Sequence, residues 1–332
     1  MTDPETAAGG ALAFYEDLHP PAGDFRADVL EGLSKPQKAI SPKYFYDPEG
    51  SKIFDRITRA PEYYVTRTEL ALLDAIGPEL RELTGPDAVV LEPGAGSGLK
   101  VRKLIDALDR PGAYAGMDIS GDHVRAACAD IAADHPGLTV GAVCHDFTRP
   151  IDLSALPLPA GRRIVFFPGS TIGNFELVDA VALLTTLKTW LRPADVLLVG
   201  ADLRKAPDIL EAAYDDAGGA TAEFNFNLIR RINAELSGTL DPSGFAYCAF
   251  WNPYRSRVEM YLEALRDMRF EVAGKAFIIR ETETIHTENS HKFTIAGFQD
   301  LARRVGLSPV RVWTDPARAF SIHWLECPGE AC

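Results

Sequence analysis

Apolar positions along this chain follow two rhythms. Between residues 88 and 200, short apolar runs read as strands: Ala88-Val-Val-Leu91, Ala113-Tyr-Ala-Gly-Met117, Leu138-Thr-Val-Gly-Ala-Val143, Arg163-Ile-Val-Phe-Phe-Pro168 and Ala194 to Gly200. Helical spacing holds from Thr68 to Leu83, through Leu99, Leu104 and Leu108, and from Leu177 to Leu191, with Thr68 a candidate cap. Such a βα series predicts a parallel sheet with helices on both faces. From Ala206 the rhythm changes. Pro207 to Tyr214 and Ala222 to Leu236 keep the helical period, while Phe245 to Trp251, Arg257 to Leu265, Phe270 to Phe277 and Glu281 to His286 read as antiparallel strands of an inserted or appended lid. A helix over Phe298 to Val305 and two more strands, Val310 to Trp313 and Phe320 to Leu325, close the pattern. At the other end, residues 1 to about 22 are rich in Ala, Gly and Pro and predict a frayed arm, followed by a short helix from Phe25 to Leu33.

The turn after the first of these strands carries the first chemistry. Glu92 leads into Gly94-Ala-Gly-Ser-Gly98 and then a helix, and glycines there let a ligand approach bare backbone whose N–H groups point at it. The next strand ends in Asp118, where a carboxylate can hold a pair of ribose hydroxyls, and the third ends near Asp146-Phe147, an acceptor and an aromatic neighbour for an adenine. Acidic groups at successive strand ends favour a nucleoside cofactor over purely structural turns. The turn lacks the Gly-Lys-Ser/Thr ending of a P-loop. After the fourth strand comes a second polar turn, Gly169-Ser-Thr-Ile-Gly-Asn-Phe175, placed where substrate-contacting groups stand. Between Ser41 and Arg67 lies an aromatic-rich stretch whose Tyr44, Tyr46, Tyr63 and Tyr64, with Phe45 and Phe54, can either wall a pocket or pin a loop to the core.

Composition narrows the partners. A length of 332 residues suits one large domain or two ordinary ones, and a formal charge of −13 argues against nucleic acid, whose binding needs a basic surface. No apolar run is long enough to cross a bilayer and the acidic N-terminus lacks a signal-peptide layout, so a cytoplasmic protein is expected. Five cysteines without a C-x-x-C pattern read as reduced thiols, and His286 and His291 find no third ligand by spacing, so no metal site is expected.

Five segments taken together resemble the L-histidine Nα-methyltransferase family of ergothioneine biosynthesis. They are Pro42-Lys-Tyr-Phe-Tyr-Asp-Pro-Glu-Gly-Ser51, Phe54-Asp-Arg-Ile-Thr58, Pro61-Glu-Tyr-Tyr-Val-Thr-Arg67, Glu92-Pro-Gly-Ala-Gly-Ser-Gly98 and Phe167-Pro-Gly-Ser-Thr-Ile-Gly-Asn-Phe175. The likeness covers about residue 25 to 326, and the first and last segments are far more specific than the glycine turn. It implies an α/β fold, a Rossmann-like class I methyltransferase core with a second α+β lid domain. Residues 1–67 would contribute to the lid, 68–204 form the core, 205–292 the substrate-binding lid, and 293–332 return to the core sheet as its reversed final hairpin.

The resemblance also implies S-adenosyl-L-methionine as cofactor, with contacts on Gly94, Gly96, Lys100, Asp118, Asp146 and Phe147. For the substrate, free L-histidine, it implies a pocket in which Asn174 and Tyr214 hold the backbone, Tyr63 or Tyr64 stands nearby, Glu288 and Ser290 grip the imidazole and Met260 packs beside it. Asn174, Tyr214 and Tyr46 are expected at the reacting centre. The expected reaction is successive in-line methyl transfer to the neutral α-amine, giving the trimethylated product hercynine, by a monomer. A tyrosine hydroxyl, a water held by Asn174 or bulk solvent would take the amine's proton. Two rivals stand beside it. One is the same fold acting on another amine, such as tryptophan or a modified histidine, and the other is a non-catalytic nucleoside-binding module. The second is disfavoured because Asn174 and Asp118 are both present, and a nicotinamide dehydrogenase because no hydride-transfer acid pair is evident.

Overall fold

The structure is a computed structural model that describes residues 11–20 and 24–328. Its chain begins with a short strand, β1 (Phe14–Asp17), helix α1 (Phe25–Ser34) and a two-residue strand, β2 (Lys38–Ala39). A 3₁₀ turn over Pro42–Phe45 leads to α2 (Pro48–Ile57) and α3 (Tyr64–Thr84). The βα series follows as β3 (Val89–Pro93), α4 (Leu99–Ala107), β4 (Ala113–Asp118), α5 (Gly121–Asp134), β5 (Thr139–Cys144), β6 (Arg163–Phe167), α6 (Leu177–Lys188) and β7 (Val196–Asp202). Helices α7 (Pro207–Tyr214) and α8 (Ala220–Glu235) precede strands β8 (Phe245–Asn252), β9 (Arg257–Ala264), β10 (Met268–Val272), β11 (Lys275–Ile279) and β12 (Thr284–His291). Helix α9 (Ile295–Arg304) and strands β13 (Ser308–Thr314) and β14 (Phe320–Glu326) complete the fold.

Eight strands form the main sheet in the order β1-β5-β4-β3-β6-β7-β14-β13. All neighbours from β1 to β7 run parallel, while β14 is antiparallel to both β7 and β13. This is the expected doubly wound sheet with a reversed final hairpin. Its central strands are apolar throughout because both faces are covered: Val90, Tyr114, Phe166 and Leu198 face one core layer, Leu91, Val165, Phe167 and Leu197 the other. From β3 the chain winds outward through β4 and β5, then returns to place β6 on the opposite side of β3. That switch point opens a crevice at the carboxyl ends of the strands.

A second sheet, β2-β12-β9-β8, stands beside it, its edge strand β2 coming from the N-terminal segment. Along β12 the register against β9 shifts between His286 and Glu288. His286 is opposite Tyr261 and Glu288 opposite Met260, leaving Thr287 as a bulge whose hydroxyl donates to Asn225 Oδ1 at 2.6 Å. The extra residue moves Glu288 and Ser290 off the face of His286 and onto the face of Ile285, Met260 and Val258, which belongs to the core.

Several expectations need correction. Of the expected frayed arm, residues 1–10 lie outside the described residues, but 11–20 contain β1, which extends the main sheet: Ala13 N–H donates to Val140, Leu18 N–H to Cys144, and the Phe14 ring seats over Gly141. The aromatic stretch is largely helical, since Asp47 caps α2 by accepting from Gly50 N–H and Pro48 stands at its start. Helix α3 begins four residues before Thr68, at Tyr64. The run from Phe270 to Phe277 is a hairpin rather than one strand, because Ala273 and Gly274 both take positive φ, 50° and 80°, in a two-residue turn. Strand β12 extends to His291, five residues past its expected end. Cys128, Cys144 and Cys248 are free thiols, but Cys327 is disulfide-bonded; an odd count forbids complete pairing, not a single bridge.

Candidate active site

At the crevice, the glycine turn is tied to β4: Gly94 and Ala95 N–H both donate to Met117 carbonyl, at 2.8 and 2.9 Å. Gly94 has φ of 72°, and a Cβ on it would stand 3.3 Å from the Phe147 ring, so glycine keeps the turn open and flat against that ring. Gly96 is exposed, with no atom within 4 Å of the place a Cβ would take. Glu92 lies beneath the turn, buried, accepting from Tyr114 hydroxyl at 2.7 Å; burial pushes its pKa up to about 7.

Asp118 ends β4 and takes Ser120 N–H on Oδ1 at 2.8 Å, while burial raises its pKa. The Ile119 N–H also supports the carboxylate, pulling its pKa down against that burial. Asp146, just past β5, accepts from the hydroxyl and N–H of Thr148 and pairs with Arg149 at 3.3 Å. Lys100 opens α4 and pairs at 2.7 Å with Glu69, a fully buried carboxylate of α3 that also accepts Gly169 N–H at 2.9 Å. Through Glu69, the glycine turn's helix is joined to the polar turn after β6.

That turn carries Asn174, whose Nδ2 donates to Glu288 Oε1 at 3.0 Å. Main sheet and lid sheet meet there. Burial pushes the Glu288 carboxyl up to about 8 from its ordinary 4.5, against the downward pull of Lys292. Met260 is directly across the strand pair from Glu288. Tyr214, the last residue of α7, places its hydroxyl 2.8 Å from Ser290 Oγ. Lys292 Nζ donates to Tyr214 hydroxyl at 2.6 Å and Ser290 Oγ at 2.9 Å, and pairs with Asp202 Oδ2 at 2.6 Å, both ions being fully buried.

Asp202 also pairs with Lys205 at 2.7 Å and accepts from Tyr64 hydroxyl at 2.7 Å. Burial alone would raise the Asp202 pKa, but its two lysines outweigh it and hold the carboxyl below its usual range. Burial brings Lys205 down to about 8, against the opposing pull of Asp202.

The two tyrosines of α3 therefore part. Tyr64 is absorbed in the Asp202 cluster, whereas the Tyr63 ring meets Tyr214 edge-on at 6.0 Å and Phe54 at 6.5 Å. Tyr46 rests edge-on against Phe54 and Phe224, each at 5.6 Å. It is 48% exposed, yet burial, with the nearby charge of Glu288, keeps its hydroxyl pKa well above 10. Open surface on a ring hemmed in by protein marks the wall of a cleft.

The structure thus gathers Asn174, Tyr214, Glu288, Ser290, Met260 and Tyr63 at the lid end, with Tyr46 on its rim. Gly94, Gly96, Lys100, Asp118, Asp146 and Phe147 line the strand ends. Sequence reasoning missed Glu69, Asp202, Lys205 and Lys292. Asp202 was findable by the strand-end rule that picked out Asp118, and Lys292 stands in Thr287-Glu-Asn-Ser-His-Lys-Phe293; Glu69 carried no signal. Among the described residues no group of three His, Cys, Asp or Glu is placed to hold a metal, and no helix is long and apolar enough to cross a membrane.

Comparison with known proteins is consistent across the chain. The family model described as histidine-specific methyltransferase, SAM-dependent, matches residues 25–327. A histidine N-alpha-methyltransferase of Mycolicibacterium smegmatis is 39% identical over 94% of this chain and 98% of its own length. One of Mycobacterium tuberculosis is 38% identical over 90% of this chain and 93% of its own. The ergothioneine biosynthesis protein 1 of Neurospora crassa is 28% identical over 81% of this chain, which spans 31% of that longer protein.

Proposed function

This chain belongs to the family of histidine-specific, S-adenosylmethionine-dependent methyltransferases, and from that premise we propose that it methylates the α-amine of free L-histidine, three times in succession, to hercynine. The observation that carries this reading is the junction of Asn174 and Glu288 at 3.0 Å, where a turn of the nucleoside-binding sheet reaches a buried acceptor on the lid. Residues 205–292 act in this reading as the substrate lid, completed by β2 from the N-terminal segment.

The strand ends fit the cofactor. The cradle at Gly94, which a Cβ would fill, and the Asp118 carboxylate at the end of β4 are what a nucleoside with a ribose diol needs. Gly94, Gly96, Asp118, Asp146 and Phe147 would hold it, with Lys100 near its carboxylate. When bound, S-adenosylmethionine supplies an electrophilic methyl on a sulfonium whose sulfur leaves as a neutral thioether.

What the chain supplies is position, an effect worth up to about 7–11 kcal/mol in a well-oriented reaction. Asn174 and Tyr214 hold the amino-acid backbone while Glu288 and Ser290 hold the ring, fixing the line along which the amine lone pair points. The phenols of Tyr46, Tyr63 and Tyr214 are raised well above 10, chiefly by burial, so they stay protonated and serve as hydrogen-bonding walls rather than bases. In this reading the amine's proton leaves to solvent along the open side of Tyr46. Aromatic walls also suit a partly methylated ammonium through cation–π contact.

The reading extends to a monomeric enzyme working in the cytoplasm. Its test is mass spectrometry of the purified protein incubated with S-adenosylmethionine and a panel of amino acids that includes tryptophan. Histidine should gain one, two and then three methyl groups. Transfer to a different amine, with histidine untouched, would overturn the substrate and leave the fold and cofactor standing.

A further inference from the structure

Lys292 is a fully buried cation that the transfer itself does not use. Its three partners are all acceptors: a carboxylate oxygen of Asp202 at 2.6 Å, the Tyr214 hydroxyl at 2.6 Å and Ser290 Oγ at 2.9 Å. An ammonium has three N–H donors and no acceptor, so all three of its protons are committed here. That narrows the arrangements open to the protons of the two hydroxyls. They stand 2.8 Å apart, so one donates to the other.

A phenol oxygen normally accepts one bond and donates one. Tyr214 meets that pattern if it accepts from Lys292 and donates to Ser290. Ser290 oxygen then receives two protons, from Lys292 and Tyr214, which fills both of its lone pairs. Its own proton is the one left over, and it can only point away from the cluster. In that arrangement Ser290 faces the pocket as a donor.

Resting on the histidine reading of this pocket, we propose that Lys292 is a positioning residue that sets the hydrogen-bonding polarity of Ser290 and thereby makes the lid select a ring offering one N–H and one bare nitrogen. Glu288 stands two residues away on the same face of β12, about 6.6–6.8 Å along the strand. In its ionised form it supplies the acceptor, and Ser290 the donor. Neutral imidazole is the complement of that pair. An indole or pyrrole offers the N–H but sets a carbon against the Ser290 proton, stranding a buried donor. Asp202 anchors the arrangement by holding the third Lys292 proton on Oδ2, where Tyr64 hydroxyl also donates, while Lys205 pairs with Oδ1.

The test compares kcat/KM for histidine with that for a pyrrolylalanine, in which C–H replaces the imidazole's bare nitrogen. Wild-type enzyme should prefer histidine by about tenfold or more, the worth of one mismatched buried hydrogen bond. Lys292→Met should remove most of that preference, carried in KM, because Ser290 is then free to turn its proton back to Tyr214. In a Ser290→Ala background, Lys292→Met should change the preference no further. If Lys292→Met fails to fold, Lys292→Met with Asp202→Asn removes both buried charges and is read the same way.

A preference near one in wild type, a preference unchanged by losing Lys292, or an equal loss on both substrates would overturn the inference while histidine methylation stands. So would a Lys292 effect that persists without Ser290. Wild type that ignores histidine altogether would remove the substrate reading and this inference with it.

Discussion

The two halves of the crevice satisfy their polar groups in opposite ways. At the strand ends of β4 and β5 the acids are met by their own neighbourhoods, Asp118 by Ser120 two residues on and Asp146 by Thr148 and Arg149. At the lid the partners are far apart in sequence: Asn174 with Glu288, Tyr64 with Asp202, Tyr214 with Ser290 and Lys292. The first half is assembled by turns that form locally. The second exists only once the whole chain has folded, and its ions have little but each other for solvation. The strand-end half should accordingly tolerate substitution, and the lid half should not.

Removing Asp202 is the severest way to press that contrast. Asp202→Ala leaves Lys292 buried without its counter-ion, and we expect a loss of about 3–5 kcal/mol in unfolding free energy. Asp146→Ala, whose partners are local and more open to water, should cost no more than about 1 kcal/mol. Denaturant titrations of the two variants giving equal losses would break the comparison.

Glu288 allows the same contrast to be drawn along the pH axis. Its carboxyl is raised in the fold to about 8 from an ordinary 4.5. The stability it contributes is full below the ordinary value and is lost as pH rises through 8, because the folded protein must then hold a buried charge. Glu288→Gln carries no such penalty. Its unfolding free energy should gain on wild type as pH climbs from 5 to about 8 and the gap should then level off, reaching on the order of a few kcal/mol. A gap that is constant or shrinks with pH would contradict the burial argument.

A smaller effect is expected in the strand-end half. Gly94→Ala forces a Cβ into a positive-φ turn and toward the Phe147 ring, at a cost of about 1–2 kcal/mol. The damage should show mostly as weaker S-adenosylmethionine binding by calorimetry, with histidine affinity near that of wild type. Loss of histidine binding alone would mean that the turn serves the other half.

The same division explains what could be read in advance. Strand ends, the glycine turn and the acids behind them follow from the apolar rhythm, because a parallel sheet forces its ligand groups to the carboxyl ends of consecutive strands. The polar turn with Asn174 was legible for that reason, and Asp202 would have been too had the rule been carried one strand further. Glu288 and Ser290 came only through family resemblance. Simple alternation groups them with His286, on the face away from Met260, and the bulge at Thr287 that reverses this leaves no mark in the apolar pattern. Lys292 stayed hidden because a lysine at a strand end reads as solvated until a distant Asp202 is folded against it. In the arm, the described residues 11–20 were misjudged for a different reason: β1 is too short to announce itself and gains its order from β5.

The central claim is that substrate choice resides in the lid while cofactor binding resides at the strand ends. Calorimetric titration of Glu288→Ala with histidine and, separately, with S-adenosylmethionine tests it most directly. The histidine Kd should weaken by roughly tenfold, the worth of one neutral buried hydrogen bond, with the cofactor Kd unchanged. Equal weakening of both ligands, or histidine binding that survives intact, would contradict it.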